Sequence, residues 1–205
     1  MASVTKFEAG AVCAQLRHNS RAVANPSNPD IDPERSHLNV SLLEPRSISD
    51  YDYFLQRKAE LYCYNRKDVK VAAAWIVTAP EDLRPDQELQ FFQETSAFLQ
   101  TRYGRENAIQ SKVHYDEGGR PHLHYVFIPV VPDLKHGGEK ICANDVLNPK
   151  ELRCFHPALQ KHLTDAGIKC SVLTGITREI GGSVSVKDLK RAERLIERKR
   201  GVVQW

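Results

Sequence analysis

The seventeen residues VHYDEGGRPHLHYVFIP (113–129) limit the possible folds of this chain more tightly than any other stretch. Two β-prone runs, SKVHYD (111–116) and HLHYVFIP (122–129), flank a Gly-Gly turn, which is the pattern of an antiparallel hairpin. Strand side chains alternate between faces, so His122 and His124 point the same way. Folding back at Gly118–Gly119 sets His114 opposite the 123–124 region, and three imidazoles then converge on one face. Three neutral nitrogens with positions left open form a catalytic type of metal site rather than a closed structural one. Asp116 and Glu117 are near enough to add a ligand, orient one, or act as a base. The competing reading is three ordinary hydrogen-bonding histidines on the wet face of a hairpin.

Around the hairpin, hydrophobic periodicity outlines an α+β chain. Residues 3–17 read as a short strand and a connector leading into His18, and a Pro-punctuated loop follows. The alternation from Ser36 to Leu43 predicts a half-buried strand, and 49–63 a helix capped by Ser49. The apolar run 69–80 reads as a central strand, and 85–103 as a helix stopped by Gly104. Pro149 and Pro157 each mark the first turn of a helix, the second running to Ala166 with Gly167 as its stop. Residues 168–186 look irregular or extended, and 187–200 helical. The order argues for a mainly antiparallel β-sheet with helices packed on it.

Composition excludes several classes. Five scattered cysteines with no C-x-x-C pair argue against a zinc ribbon or a disulfide framework. No apolar run suits a signal peptide or a membrane span, so a reducing cytoplasm is the expected compartment. Net charge is +3, but KDLKRAERLIERKR (187–200) alone carries seven Lys/Arg against three Asp/Glu, a local +4 that leaves the rest near −1. Contacts of the main body with nucleic acid must therefore use local patches.

A second polar group lies near the N-terminus. Arg17, His18 and Arg21 sit together in RHNSR, followed by Arg35, His37 and Asn39 in ERSHLN. Arginines around an imidazole suit a phosphodiester, because guanidinium offers paired donors to phosphate oxygens.

Together these groups resemble the MobV-type (Mob/Pre) plasmid mobilisation relaxases. The matching pieces are H18-N-S-R21, D-I-D-P-E-R-S-H-L-N (30–39), W75-I-V-T, Y103-G-R-E-N, H114-Y-D-E117 and P121-H-L-H124, spanning about residues 10–170. The resemblance implies a fold like that of the HUH endonucleases. It also implies metal-dependent nicking and rejoining of one strand at a plasmid origin of transfer, through a covalent 5′-phosphohistidine. His114, His122 and His124 would hold a divalent metal, Mn²⁺ ahead of Mg²⁺. His18 would attack and Arg21 would contact the reacting phosphate, with Glu117 a site residue of open role. Arg17, Asn19, Arg35, His37, Asn39 and Arg120 are the candidate contacts to single-stranded or supercoiled origin DNA. The first tyrosine is Tyr51, so none occupies the early segment where most other relaxases carry their nucleophile, which supports His18; Tyr51 or Tyr53 delivered to the site by folding is the alternative. The likeness is stretched at one place: three residues, Gly118, Gly119 and Arg120, separate D-E from P-H, where the family pattern has two.

The domain expectation is a relaxase domain over 1–186 and a basic helical segment over 187–205, leading to a C-terminal region through which such proteins could dimerise. Alternative functions are a rolling-circle replication initiator, which also nicks one strand, and a catalytically silent DNA-binding or recombination accessory protein. A small-molecule metallohydrolase would leave the arginine-rich segments without a purpose.

Overall fold

The computed structural model describes residues 2–23 and 28–173. Its frame is a five-stranded sheet in the order β1-β3-β5-β4-β2, every neighbouring pair antiparallel. The strands are β1 (Ala2–Glu8), β2 (Val40–Ser41), β3 (Lys70–Thr78), β4 (Ala108–His114) and β5 (His122–Phe127). A small hairpin, β6 (Val130–Pro132) with β7 (Glu139–Ile141), continues from β5. The expected α+β class with a mainly antiparallel sheet is what the chain adopts.

Helices cover the two faces unequally. On one face α3 (Glu88–Tyr103) and α5 (Pro149–Asp165) pack over Trp75, Val77, Val113, Leu123, Tyr125 and Phe127. Trp75 stacks flat on Phe155, with ring centroids 3.6 Å apart and planes 9° from parallel. The Trp75 indole N–H donates to the Tyr103 hydroxyl (3.1 Å), which in turn donates to Glu151 (2.7 Å). That chain of bonds satisfies two polar groups the core would otherwise strand. On the other face α1 (Ala9–Asn19) and α2 (Asp50–Ala59) bury Val12, Leu16 and Phe54 against Ala74, Ile109, Val126 and Ile128. These two helices leave the His114–His122 end of that face for polar residues. A four-residue α4 (Ala143–Val146) precedes α5.

Several boundaries differ from the sequence expectation, each for a local reason. The connector before His18 is the helix α1, whose Val12 and Leu16, four residues apart, face the core. The expected strand 36–43 begins inside a 3-10 helix, Pro33–Leu38, because Asp32 caps the Glu34 N–H (3.0 Å) and Pro33 presets the first turn. Only Val40–Ser41 pairs, against Val113 and Lys112. Ser49 does cap α2, accepting from the Asp52 N–H at 3.1 Å, but that helix ends at Ala59. Tyr62 beyond it instead forms a bridge to Lys140. The two helices expected from Pro149 and Pro157 are one, with Pro157 inside α5. Proline there forfeits a single backbone bond, which burial of Phe155, Leu159 and Leu163 offsets. Within α3, Leu89 is exposed while Phe92, Leu99 and Tyr103 are buried. The basic segment 187–200 and its helical reading lie outside the described residues. Among the described residues no helix is long and apolar enough to cross a membrane.

Candidate metal centre

Register decides which histidines meet. His114 pairs with His122 across β4 and β5, not with the 123–124 region, and His124 follows one pleat further along, opposite Lys112. All three imidazoles still share a face, with ring centroids 4.5 to 5.6 Å apart. Glu117, in the turn, folds back over them. Its Oε1 lies 3.3 Å from His114 Nδ1 and its Oε2 3.7 Å from His122 Nε2. One donor atom from each of His114, Glu117, His122 and His124 lies within 4.8 Å of every other.

Backbone carbonyls set the tautomers. His114 Nε2 lies 2.8 Å from the Asn19 carbonyl and His122 Nδ1 3.2 Å from the Arg120 carbonyl. A carbonyl only accepts, so each of those nitrogens carries the proton. The opposite nitrogens, His114 Nδ1 and His122 Nε2, keep their lone pairs and are the ones turned towards Glu117. His114 Nδ1 and both His124 nitrogens are buried without a hydrogen-bond partner. Unpaired polar atoms in such numbers are costly unless something binds them. Burial lowers the proton affinity of His122 and His124, assisted at His124 by the neighbouring His114 and His122, which keeps both rings neutral. Three neutral nitrogens and one carboxylate make a donor set that fits a divalent cation.

The end of α1 is fastened to this hairpin. Arg21 follows the helix in a left-handed conformation (φ 56°), with its N–H bonded to the His18 carbonyl and the next N–H to the Arg17 carbonyl. This is a Schellman end, in which glycine is the usual occupant. An arginine accepts that strain, on the order of 1 kcal/mol, because its side chain is held on the hairpin. Arg21 Nε donates to Asp116 (2.7 Å) and Nη2 to both Asp116 and Glu117 (2.7 Å to the latter). Asp116 has no exposed surface and also accepts from the Ser36 hydroxyl at 2.6 Å. Burial alone would raise the Asp116 carboxyl, but the hydrogen bonds from Arg21 and Ser36 hold it well below the usual range. Glu117 is likewise held low against its burial, with the Arg21 guanidinium favouring its charged form, and Asn28 donates to its second oxygen at 3.1 Å. Residues 30–32 pair along 116–118 through Asp32 N–H to Asp116 O (2.8 Å) and Gly118 N–H to Asp30 O (3.1 Å).

His18 sits in the last turn of α1, half-buried. Burial, then the Arg21 charge, lowers its proton affinity, and Glu117 opposes them. The structure thus brings His18, Arg21, Glu117 and the three hairpin histidines into one neighbourhood. Arg21 grips carboxylates there instead of offering a free fork. Of the candidate DNA contacts, Arg17, Arg35, His37 and Arg120 are exposed. Arg120 donates one N–H to the Pro80 carbonyl. Asn19 departs from expectation: it is 1% exposed, and its carbonyl orients His114. Asn39 uses its side-chain oxygen to hold the Tyr115 N–H (2.8 Å). Tyr53 donates its hydroxyl to the Glu106 carbonyl, at the end of β4 opposite His114. The turn residues Gly118, Gly119 and Arg120, one more than the family pattern has, are exposed, and Glu117 ahead of them still reaches the histidines. Sequence reading left Asn28, Ser36 and the clamp role of Asp116 unassigned. The one local hint was the pair of adjacent acids, Asp116 and Glu117, beside the hairpin turn.

Known proteins resemble this chain in sequence and in fold. A plasmid recombination enzyme of Streptococcus agalactiae is 30% identical over 178 residues, covering 82% of this chain and 34% of its own length. A second, from a Bacillus species, is 32% identical over 158 residues, covering 73% of this chain and 36% of its own. The chain thus spans about a third of the length of these curated relatives. Among solved structures, the MobM relaxase domain bound to plasmid pMV158 oriT DNA, with manganese, superposes with a TM-score of 0.74 at 28% identity. That match covers 94% of this chain and 97% of the other. A family model described as plasmid recombination enzyme (Mob/Pre) matches residues 1–172, and the chain belongs to that family.

Proposed function

We propose that this chain nicks and rejoins one strand of DNA at a plasmid origin of transfer, with His18 as nucleophile and a divalent cation, Mn²⁺ first, held by His114, Glu117, His122 and His124. The observation that carries the reading is the fastening of the His18 helix end to the four-donor hairpin through Arg21. Membership of the family and the likeness to an oriT-bound, manganese-bound relaxase domain support it.

The charges suit a phosphodiester. Asp116, Glu117 and Arg21 sum to −1 beside neutral imidazoles, so a divalent cation brings the pocket to about +1, opposite to the phosphate. When bound, the cation withdraws electron density from the scissile phosphate. His18, kept neutral by burial, presents a nitrogen lone pair near neutral pH. Its nitrogen forms the bond to phosphorus as the bond to the 3′-oxygen breaks; the ring's other nitrogen loses its proton and the departing oxygen gains one. The phosphohistidine conserves the bond energy, so a 3′-hydroxyl can reverse the step and reseal the strand. Arg21 lends positive potential beside the phosphate while fixing the helix end. Arg17, Arg35, His37 and Arg120 guide the strand from the exposed rim. The reaction takes place in the cytoplasm.

The test uses supercoiled plasmid carrying the cognate origin with Mn²⁺ or Mg²⁺. Open circles and a protein–DNA adduct form with the native chain, and both vanish in His18→Ala. Adduct formation undiminished in that variant would sink the assignment.

A further inference from the structure

At the opposite end of the sheet the β6–β7 hairpin carries a cluster of exposed rings that the histidine centre does not use. His122 opens β5 and Phe127 closes it, roughly 17 Å on, with β6 beyond. There the Tyr62 and His136 rings lie 4.4 Å apart, and Tyr64 meets Tyr62 edge-on at 5.3 Å. Tyr62 is 39% exposed, Tyr64 50%, and Leu134 at the hairpin tip 98%. The cluster is held in place. Tyr62 exchanges backbone bonds with Glu139 (3.0 Å) and Ile141 (2.9 Å), and Asp133 binds the His136 ring at 2.7 Å.

The surrounding acids are each engaged by a neighbouring side chain, and three lysines are not. Arg57 pairs with both Glu60 (2.9 Å) and Glu139 (2.7 Å), Arg66 with Asp68 (3.3 Å), and Asp133 is taken by His136. Lys67, Lys135 and Lys140 form no ion pair among the described residues. Exposed aromatic faces beside unpaired lysines match the chemistry of single-stranded nucleic acid, whose bases stack on rings while phosphates meet the cations. A protein partner would favour a wider apolar surface with fewer free charges.

We propose that Tyr62, Tyr64 and His136, with Lys67, Lys135 and Lys140, form a second contact surface for single-stranded DNA, separate from the histidine centre. It binds strand away from the point of cleavage and adds affinity without touching the reacting phosphate. The proposal goes beyond the nicking reading, and either can fail without the other.

The test measures fluorescence anisotropy of a labelled, mixed-sequence single strand of about thirty nucleotides, with chelator present so that the metal centre is not loaded. Tyr62→Ala/Tyr64→Ala weakens binding about tenfold. Since Tyr62 sits in a backbone bridge, a second variant guards against misfolding. Lys67→Ala/Lys135→Ala/Lys140→Ala lowers the slope of log affinity against log salt by about 2, as expected for three lost phosphate contacts on a single strand. Adduct formation at saturating origin DNA stays at the native level in both. Native affinity in the ring variant, or a native salt slope in the lysine variant, overturns the proposal. So does self-association that the ring variant abolishes while DNA affinity stays unchanged, which would assign the surface to a second protein copy.

Discussion

The two faces of the central sheet are built from the same strands and do opposite things. On the α3–α5 face, Trp75, Leu123, Tyr125 and Phe127 meet aromatic and aliphatic side chains from two long helices. On the other face, the residues one position along are Ile76, His122, His124 and Val126, and the shorter α1 and α2 cover only part of them. The packed face supplies cohesion, so its neighbour can hold buried, unpaired imidazoles that contribute little to folding. If this division is right, damage to one face should be readable separately from damage to the other.

The largest effect should come from the packed face. Phe155→Ala removes the partner of Trp75 and costs about 4 kcal/mol in urea unfolding, with metal affinity of the folded protein unchanged. A parallel loss of metal affinity would show that the faces are coupled. Asp116→Ala, at the seam between the hairpin and the α1 end, should cost about 3 kcal/mol, because it strips a partner from a largely buried guanidinium. It should also weaken metal binding, which Phe155→Ala does not. His122→Ala/His124→Ala should reduce metal affinity at least about 100-fold in calorimetric titration, with little change in urea unfolding of the metal-free protein. Equal affinity would remove the centre from the hairpin. Asn28→Ala releases one Glu117 oxygen and should weaken the metal about tenfold.

The smallest effect is a pH dependence confined to the chemical face. Burial lowers the proton affinity of His18, His122 and His124 from the ordinary 6.5, so the unfolded chain takes up protons first as the pH falls. Their contribution to the stability of metal-free protein is complete above 6.5 and drains away below it. Melting temperature in chelator should therefore fall between neutral pH and about 5.5, and fall less in His122→Ala/His124→Ala. An identical slope in that variant would locate the titrating groups elsewhere.

What could be read from sequence follows how far apart the interacting residues lie. The hairpin, its shared histidine face and α3 were legible because alternation and helical spacing are local signals. The exact pairing of His114 with His122 was not, because loop length and turn geometry set register. Helix α1 was missed because its Ala-Gly start and two widely spaced core residues, Val12 and Leu16, give a weak periodicity. The clamp joining Ser36 and Arg21 to Asp116, and Asn28 to Glu117, spans 80 to 96 residues and leaves no local pattern. The family resemblance located His18 and the hairpin, but Asp116 and Asn28 acquired roles only when the chain was folded.

The separation between near and far parts of the centre has a kinetic side. All four donors belong to one hairpin, residues 114–124, whereas His18 arrives on a helix held by side chains of the turn. Fraying of the α1 terminus would open the Arg21 grip, the bond from His114 to the Asn19 carbonyl and the Gln110 bonds to Leu16 and Ser20, still a smaller excursion than melting the sheet. The donors would stay assembled while the His18 ring swung away, so amide exchange at residues 17–22 should run ahead of exchange at 112–114 and 123–126. On the proposed reading the left-handed arginine is a latch, whose rate of release would limit how long His18 stays beside the four donors.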